Sequence, residues 1–249
     1  MLDFGFYNMD CMEGMKQFPD KYFELAIVDP IYGDVKAGGY MTGKSKGGVG
    51  PHPDYNYSIW DQPKTDKAYF DELFRVSKNQ IIWGGNYFSK EINRNSPCWI
   101  VWDKCNGETN WADCEIAWTS FDTAVRMFRF MWNGMLQGKS ISEGHLMQGD
   151  KSKNEIRIHP TQKPVALYEW LLSKYAVKGD KILDTHVGSA SSLIACHNLG
   201  FDYVGFEIDK TYYDMATKRL EAHKAQRTIF DCGIERTEQQ QLSDFIATS

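Results

Sequence analysis

The stretch Lys181–Glu207, KILDTHVGSASSLIACHNLGFDYVGFE, decides the fold of this 249-residue chain. Its pattern predicts a buried strand over Lys181–Thr185, a turn of small residues, a helix over Ser191–Leu199 that ends at Gly200, and a strand over Tyr203–Glu207. An acid after one strand, small residues in the turn and an acid at the end of the next strand are typical of a nucleotide site.

Four residues of this stretch are candidates for binding a cofactor. Gly188 and Ser189 let the backbone approach a ligand closely. Asp184 ends the first strand, and the carboxylate of Glu207 at the end of the next one can accept two ribose hydroxyls. Small residues also occur at the turns of α/β folds that bind nothing there, so ordinary turn chemistry stays open as the alternative.

The rest of the chain alternates predicted strands with predicted helices, which indicates βαβ units and a parallel sheet. Four successive apolar residues precede an acid and a proline in ELAIVDPIY, Glu24–Tyr32, as in a strand buried on both faces. The other predicted elements are helices at Asp66–Val76, Val165–Tyr175 and Thr211–Ala222, and strands at Gln80–Trp83, Cys98–Trp102, Glu115–Phe121 and Val125–Trp132. We expect one α/β domain over residues 1–249 with a largely parallel sheet of about seven strands and a polar tail at 226–249.

Composition places the chain among ordinary globular proteins, with 42% hydrophobic, 24% charged and 14% aromatic residues. The six cysteines form no C-x-x-C pair, so their spacing predicts neither a zinc site nor a redox dithiol. No signal-peptide pattern and no run of about 18 apolar residues occurs, and we expect a cytoplasmic protein.

The net charge of −5 argues against a protein that coats nucleic acid through bulk electrostatics. Basic residues nevertheless concentrate in residues 33–53 and 126–163. Two positive segments on an acidic body suit a polyanion held at one place, although two solvated loops would give the same pattern.

Three short motifs accompany the cofactor-type stretch in a fixed order. They are Asp29–Tyr32 (DPIY) after the buried strand, Trp83–Phe88 (WGGNYF), and His159–Pro164 (HPTQKP) ahead of Lys181. The set resembles the DNA amino-methyltransferases, which methylate the exocyclic amine of adenine or cytosine. The catalytic motif comes first and the cofactor motif last, which is similar to the permuted beta arrangement of that family. The resemblance spans nearly the whole chain and implies a Rossmann-like methyltransferase fold.

The resemblance also implies S-adenosylmethionine as the methyl donor. A lysine of the HPTQKP run, Lys163, can pair with the carboxylate at the methionine end of the cofactor. Asp10 matches a family position near the cofactor's adenine, but it is equally suited to cap a helix. The implied cofactor-binding residues are Asp184, Gly188, Ser189, Glu207, Thr161, Gln162, Lys163, Asp10 and Cys11.

The catalytic motif suits an acceptor amine whose lone pair is delocalised into a ring. Attack on a methyl sulfonium requires this nitrogen to become tetrahedral while its N–H bonds are held. The resemblance implies that the Asp29 carboxylate accepts one N–H, that the Pro30 carbonyl oxygen accepts the other, and that Tyr32 stacks on the base. The base must leave the duplex, and stacking on an aromatic ring offsets part of the cost of unstacking.

Three residues depart from the pattern of the family. Ile31 replaces the second proline of the catalytic motif, while His186 and Ala190 replace a phenylalanine and a glycine of the cofactor motif. Because the accepting oxygen belongs to Pro30, we expect Ile31 to reduce rigidity rather than to remove the chemistry. If position 190 needs a positive φ, a non-glycine residue costs roughly 1 kcal/mol there, and cofactor affinity would suffer.

The substrate implied by the resemblance is double-stranded DNA with a flipped target base, and an acid at the first catalytic position favours adenine. N4 methylation of cytosine, a catalytically impaired relative that binds DNA or cofactor, and the same chemistry on RNA or a protein amide stay open as alternatives. The candidate DNA-contacting loops are 33–58, 103–113 and 133–158. The candidate protein partners are a second copy of the chain and a restriction enzyme.

His159 is expected to be structural, and Asn86 either approaches the base or caps a turn.

Overall fold

The computed structural model describes residues 1–33, 64–106, 112–132, 137–138 and 154–226. These residues form ten strands and six helices. The strands are β1 Gly5–Asn8, β2 Phe23–Val28, β3 Ser77–Trp83, β4 Trp99–Asp103, β5 Cys114–Thr119, β6 Arg126–Arg129, β7 Met131–Trp132, β8 Gln137–Gly138, β9 Lys181–Asp184 and β10 Asp202–Glu207. The helices are α1 Cys11–Met15, α2 Lys67–Val76, α3 Ser89–Ile92, α4 Val165–Tyr175, α5 Ser191–Leu199 and α6 at 210–226, and a single 3₁₀ turn covers Gly85–Tyr87.

Eight of the strands form one sheet in the order β1-β10-β9-β2-β3-β5-β4-β6, and β7 and β8 form a separate pair. The five strands from β1 to β3 in this order run parallel. β5 is antiparallel to both of its neighbours, and β6 runs parallel to β4 at the edge. The sheet is therefore mostly parallel, as predicted, and four of the five strands in its continuous parallel part, β10, β9, β2 and β3, are strands that the sequence predicted.

Strand β2 shows why the sheet is buried on both faces. Its alternate residues Ala26 and Val28 belong to a hydrophobic cluster that includes residues of α1 and α2. Leu25 and Ile27 point to the other face and belong to a cluster that includes residues of α4 and α5. A strand covered on both faces has no polar side, which accounts for its continuous apolar run.

The connections that leave β2 and β9 run in opposite directions along the sheet. The chain passes from β2 through α2 to β3 on one side, and from β9 through α5 to β10 on the other. In open α/β sheets such a reversal of strand order leaves a crevice outside the carboxyl ends of the two strands, where ligands bind. The topology therefore places the candidate site at the ends of β2 and β9.

The helices begin and end where the local sequence indicates. Asp66 precedes α2, and its carboxylate accepts the backbone N–H of Tyr69 at 3.1 Å, as an N-cap residue does. α4 begins directly after Pro164. Gly200 follows α5 with φ 72°, the left-handed conformation in which a helix commonly ends.

Two sequence-based expectations need correction. The predicted single strand Val125–Trp132 is wrong, because Arg126–Arg129 pairs with β4 while Met131–Trp132 pairs with β8 in the second sheet. Phe130 lies between them, where its carbonyl oxygen accepts the indole N–H of Trp102. The sheet also has eight strands rather than about seven, because Gly5–Asn8 adds an edge strand beside β10 that the sequence did not predict.

The predicted loops at 33–58 and 133–158 and the tail at 226–249 lie mostly outside the described residues. Their assignment, and the extent of the domain over 1–249, stay predictions. Within the described ranges, no helix is long and apolar enough to span a membrane.

Candidate active site at the carboxyl ends of the strands

Three acidic side chains follow three neighbouring strands at one edge of the sheet. The parallel register pairs Ala26 of β2 with Leu183 of β9, and Gly205 of β10 with Asp184 of β9. Asp184 and Glu207 are the last residues of β9 and β10, and Asp29 follows the last residue of β2. The two halves of the predicted site, distant in sequence, therefore meet at the same edge.

Asp184 is buried beneath the turn that leads into α5. One carboxylate oxygen accepts the backbone N–H of His186 at 3.0 Å, and the other accepts the hydroxyl of Ser192 at 2.5 Å. Burial raises the pKa of Asp184 to about 7, and these two hydrogen bonds act in the opposite direction. Asp184 thus ties the start of α5 to the end of β9 and stabilises the turn between them.

Glu207 closes the same turn from the neighbouring strand. Its two carboxylate oxygens accept the backbone N–H groups of Gly188 and Asp209, each at 2.9 Å. Burial raises the pKa of Glu207. Gly188 has φ 55°, so the chain turns tightly enough to aim its N–H at the carboxylate.

The donor set of this turn fits the cofactor that the sequence implied. A carboxylate offers about four lone-pair directions, and two backbone N–H groups occupy only two of those of Glu207. The remaining two suit the vicinal hydroxyls of a ribose, and a carboxylate already fixed by two hydrogen bonds loses little freedom on binding. The hydroxyls of Ser189 and Ser191, 3.1 Å apart, lie in the same turn.

Ala190 adopts the left-handed conformation that the missing glycine would favour, with φ 64°, and it is fully buried. Arg219 of α6 holds the chain on both sides of it. One guanidinium nitrogen donates to the carbonyl oxygen of Ser189 at 2.7 Å and to the hydroxyl of Ser191 at 3.0 Å. The other nitrogen pairs with Glu155 at 2.7 Å. These contacts offset the strain of roughly 1 kcal/mol that a non-glycine residue has there.

The Asp29 carboxylate contacts Tyr32, which belongs to the same DPIY motif, and Lys163, which belongs to the HPTQKP motif. The hydroxyl of Tyr32 donates to Oδ1 of Asp29 at 2.5 Å, and the ammonium of Lys163 pairs with Oδ2. The Tyr32 ring stacks on Tyr87 with centroids 5.0 Å apart. Gly84 makes room for this ring, because a Cβ at position 84 would lie 2.3 Å from it.

Lys163 lies between two carboxylates and is only 4% exposed. Its ammonium contacts Asp29 and also Glu115 of β5, the latter at 3.2 Å, and Glu115 in turn pairs with Lys104 at 2.5 Å. Burial opposes the charge of Lys163, but Asp29 and Glu115 outweigh it and raise the pKa of the ammonium. Burial likewise opposes the charge of Glu115, but Lys163 and Lys104 lower its pKa to about 2.

The remaining residues of HPTQKP hold their own segment in place. The side-chain amide of Gln162 accepts the N–H of Ile158 and donates to the carbonyl oxygen of Ile156. His159 accepts the hydroxyl of Thr161 or donates to it, with 3.0 Å between the two atoms. Gln162 also contacts another element, because its carbonyl oxygen accepts the indole N–H of Trp132 in β7 at 2.8 Å. The role of Gln162 and Thr161 toward a cofactor stays a prediction.

The His159 ring packs against Tyr212 of α6 and approaches Gly188, where an added Cβ would lie 3.5 Å from it. Burial lowers the pKa of His159 to about 4, so the ring is neutral near pH 7. These contacts support the structural role that the sequence suggested for this histidine.

Asp10 and Cys11 lie at the start of α1, beyond the end of β1. Asp10 caps the helix, because its Oδ1 accepts the N–H groups of Met12 and Glu13 at 2.7 and 3.3 Å. Burial raises the pKa of Cys11 to about 12, so the thiol stays protonated. The capping alternative for Asp10 is therefore confirmed, and contact of either residue with the cofactor stays a prediction.

His186, which replaces a phenylalanine of the family pattern, joins a short chain of hydrogen bonds. Its Nδ1 lies 2.9 Å from the hydroxyl of Thr185, which lies 2.6 Å from the hydroxyl of Tyr69 in α2. Burial lowers the pKa of His186 to about 4. The ring is thus neutral near pH 7. It packs edge-on against Tyr69 with centroids 5.4 Å apart, as a phenylalanine could, and it also has a polar contact that a phenylalanine lacks.

Asn86 lies in the 3₁₀ turn and is exposed, so both alternatives for this residue stay open.

The described residues also bear on metal binding. Among the residues that the structure describes, no group of three or more histidine, cysteine or acidic side chains could hold one.

Several residues of the site escaped the sequence analysis because they occur in no motif of it. Glu115 was assigned only to a strand, Lys104 only to the candidate DNA-contacting loop 103–113, and Arg219 only to a helix. The residues that they contact belong to other elements of the fold. These contacts became visible only in the structure, where β5 pairs with β3 and α6 packs against the turn at Ser189. An acid within a strand otherwise rich in apolar residues, as in CEIAWT, was the one available signal for Glu115.

A nucleotide-type turn beside the Asp29 carboxylate, at the carboxyl ends of neighbouring parallel strands, is the arrangement expected of an α/β methyltransferase. The profile of the N6/N4 family of DNA methylases matches residues 90–218, about half of the chain. The type II methyltransferase M.HpaI of Haemophilus parainfluenzae is 42% identical over 245 residues, which cover 86% of this chain and 73% of that protein. The chain belongs to the N6/N4 DNA methylase family. It is a DNA methyltransferase, and S-adenosylmethionine is its cofactor.

Two other proteins are similar to the chain. The type II methyltransferase M.HinfI of Haemophilus influenzae is 25% identical over 239 residues, covering 85% of this chain and 66% of that protein. The solved structure of the cytosine-N4-specific PvuII DNA methyltransferase has a TM-score of 0.51 at 12% identity and covers 90% of this chain and 91% of its own. This likeness shows that the two chains share a fold.

The buried carboxylate of Asp184 predicts a pH dependence of stability. The folded state keeps a proton on Asp184 up to about pH 7, whereas the unfolded chain loses it near pH 3.9. The stability that this proton provides is fully present below about pH 4 and is lost as the pH rises through about 7.

In Asp184→Asn this titration is absent. The free energy of unfolding of the wild type relative to the variant should therefore fall by about 2 kcal/mol between about pH 5 and pH 8, measured by urea unfolding. Asp214→Asn, at an exposed carboxylate paired with Lys210, is the control and should follow the wild type. A constant difference between wild type and Asp184→Asn would contradict the assignment.

Proposed function

We propose that this enzyme transfers a methyl group from S-adenosylmethionine to the exocyclic amine of adenine at a specific sequence in double-stranded DNA. The observation that carries the proposal is the carboxylate of Asp29 at the carboxyl end of β2, beside the turn that fits the cofactor. N4 methylation of cytosine is the second candidate, since the family includes both reactions.

The exocyclic amine of a base is a poor nucleophile because its lone pair is shared with the ring. A protein improves it by accepting its N–H groups, which draws the nitrogen toward a tetrahedral geometry and directs the lone pair at the methyl group. The cofactor supplies an electrophilic methyl on a sulfonium. The protein itself has to position the amine and the groups that accept its hydrogen bonds.

The residues after β2 offer such acceptors in a fixed position. Asp29 follows a buried parallel strand, and Pro30 is itself buried. The carbonyl oxygen of Ile31 accepts the N–H of Thr65 at 3.1 Å, which ties this segment to the chain leading into α2. This bond supports the expectation that Ile31 leaves the chemistry in place, because it fixes the turn without a second proline.

The aromatic residues beside Asp29 support the binding of an extruded base. Tyr32 and Tyr87 stack, Phe88 meets the Tyr32 ring edge-on at 5.8 Å, and Tyr87 is 41% exposed. Aromatic surfaces of this kind offset part of the stacking that a flipped base loses. We assign Asp29, Pro30 and Tyr32 as catalytic residues on these grounds.

On the cofactor side, Glu207 and the turn at Gly188 would hold the ribose, and Asp184 and Ser189 would maintain the turn. We further propose a cytoplasmic enzyme whose loops 33–58, 103–113 and 133–158 contact DNA. A homodimer or a cognate restriction enzyme would be its protein partners.

The purified full chain, labelled S-adenosylmethionine and mixed-sequence duplex DNA test the target base. Digestion to nucleosides should give labelled N6-methyladenine. Labelled N4-methylcytosine in its place would refute the adenine assignment and support the second candidate. Absence of label from DNA, together with measurable cofactor and DNA binding, would indicate the impaired relative instead.

Substitution of Asp29 tests the acceptor. Asp29→Ala should lower kcat by about 10² to 10³, the usual effect of removing one electrostatic contact to a transition state, and should leave the Kd for S-adenosylmethionine nearly unchanged. Asp71→Ala is the matched control, because Asp71 is exposed and pairs with Lys67 on the surface of α2. Full activity of Asp29→Ala in single-turnover assays would remove Asp29 from the reaction.

Substitution of Glu207 tests the cofactor site separately. Glu207→Ala removes a charged acceptor worth about 1.5 to 3 kcal/mol, so calorimetry should show at least about tenfold weaker binding of S-adenosylmethionine. Glu221→Ala, at an exposed glutamate of α6 that pairs with Lys224, is the control. Equal affinity before and after the Glu207 substitution would exclude it from the site.

A further inference from the structure

We propose that Lys163, held by Glu115, is a positioning residue that anchors one oxygen of Asp29 and leaves the other to receive the target amine. This inference rests on the proposed function, because it concerns the same acceptor. It differs from the role of cofactor anchor that the sequence resemblance implied for Lys163.

The two oxygens of the Asp29 carboxylate are not equivalent. Oδ2 contacts the ammonium of Lys163, which is almost completely buried. Oδ1 accepts the hydroxyl of Tyr32, a partly buried side chain whose ring stacks on the exposed Tyr87. The first contact therefore comes from a buried cation, and the second from the aromatic pair on which we propose that a base stacks.

The contact between Lys163 and Asp29 is fixed by its surroundings. The Lys163 ammonium also contacts Glu115 at 3.2 Å and lies 5.4 Å from the centre of the Trp83 ring. Lys104 pairs with the other oxygen of Glu115 at 2.5 Å. The four charges alternate in sign along the chain Asp29, Lys163, Glu115, Lys104, so each buried charge has an opposite neighbour.

The hydroxyl of Tyr32 takes the place that an amine N–H would take. Both groups offer one hydrogen-bond donor, so exchanging the hydroxyl for the amine leaves Oδ1 with the same number of bonds. Oδ2 keeps its ammonium throughout. The carboxylate would therefore not rotate when the base enters, and its lone pairs would already point at the amine.

A split of kinetic from binding effects tests the positioning role. Lys163→Met should lower kcat at saturating substrates by about tenfold or more and change the Kd for S-adenosylmethionine by less than about twofold. Glu115→Gln should give a smaller loss of kcat with the same unchanged Kd. Lys163→Arg, which keeps the charge, should recover part of the kcat.

Lys67→Met serves as the matched control, because Lys67 is exposed and pairs with Asp71 on the surface of α2. It should show the kcat and Kd of the wild type. A Lys163→Met variant that binds S-adenosylmethionine about tenfold more weakly while keeping kcat would overturn the proposal and restore the role of cofactor anchor.

A double-mutant cycle in urea unfolding tests the same contact without any activity measurement. Lys163→Met removes the cation that contacts Asp29, so it should lower the unfolding midpoint. Adding Asp29→Asn to it should cost less than Asp29→Asn costs in the wild type. Additive effects of the two substitutions would show that the side chains do not interact and would contradict the proposal.

The two experiments also separate this inference from the proposed function. If the labelled product is N4-methylcytosine, the adenine assignment fails while the kinetic pattern of Lys163→Met still tests the anchoring of Asp29. If no DNA is methylated, the double-mutant cycle still tests the contact.

Discussion

The parallel pairing of β2 with β9 is the contact on which the active site depends. It joins Leu25 and Ala26 to Ile182 and Leu183, residues that lie far apart in the sequence. The pairing brings the end of the catalytic half and the end of the cofactor half to one edge of the sheet. A slip of one residue would exchange the two faces of β2 between their hydrophobic clusters, so burial on both sides fixes the register.

Ionisable groups cluster at this edge because a reaction site needs preorganised charge. Lys163 is buried, where an unpaired charge would be strongly destabilising, and it contacts the opposite charges of the partly exposed Asp29 and Glu115. The oxygens of Asp184 are instead satisfied by hydrogen bonds from His186 and Ser192. The described residues around Asp29 therefore carry paired opposite charges, whereas burial raises the pKa of both Asp184 and Glu207 on the other side of the site.

The family relationship and the base preference depend on different parts of the molecule. The family profile matches residues 90–218, which include HPTQKP and the cofactor turn but not Asp29–Tyr32. A cytosine-specific enzyme shares the fold at 12% identity, and a scaffold common to distant enzymes does not by itself select a base. The adenine proposal therefore depends on the acid at position 29 and not on the architecture.

The sequence by itself determined the βαβ units, the bounds of α4 and α5, the family and the two motifs of the site. These follow from local causes: continuous apolar runs, a proline before one helix, a glycine after another, and short motifs with a fixed order. Only the tertiary structure decided that Lys163 contacts Asp29, that Glu115 and Lys104 complete the charge chain, and that Arg219 holds the turn around Ala190. Each of these contacts joins elements that are remote in the chain, and their partners are set by strand order and helix packing, which local sequence patterns do not encode.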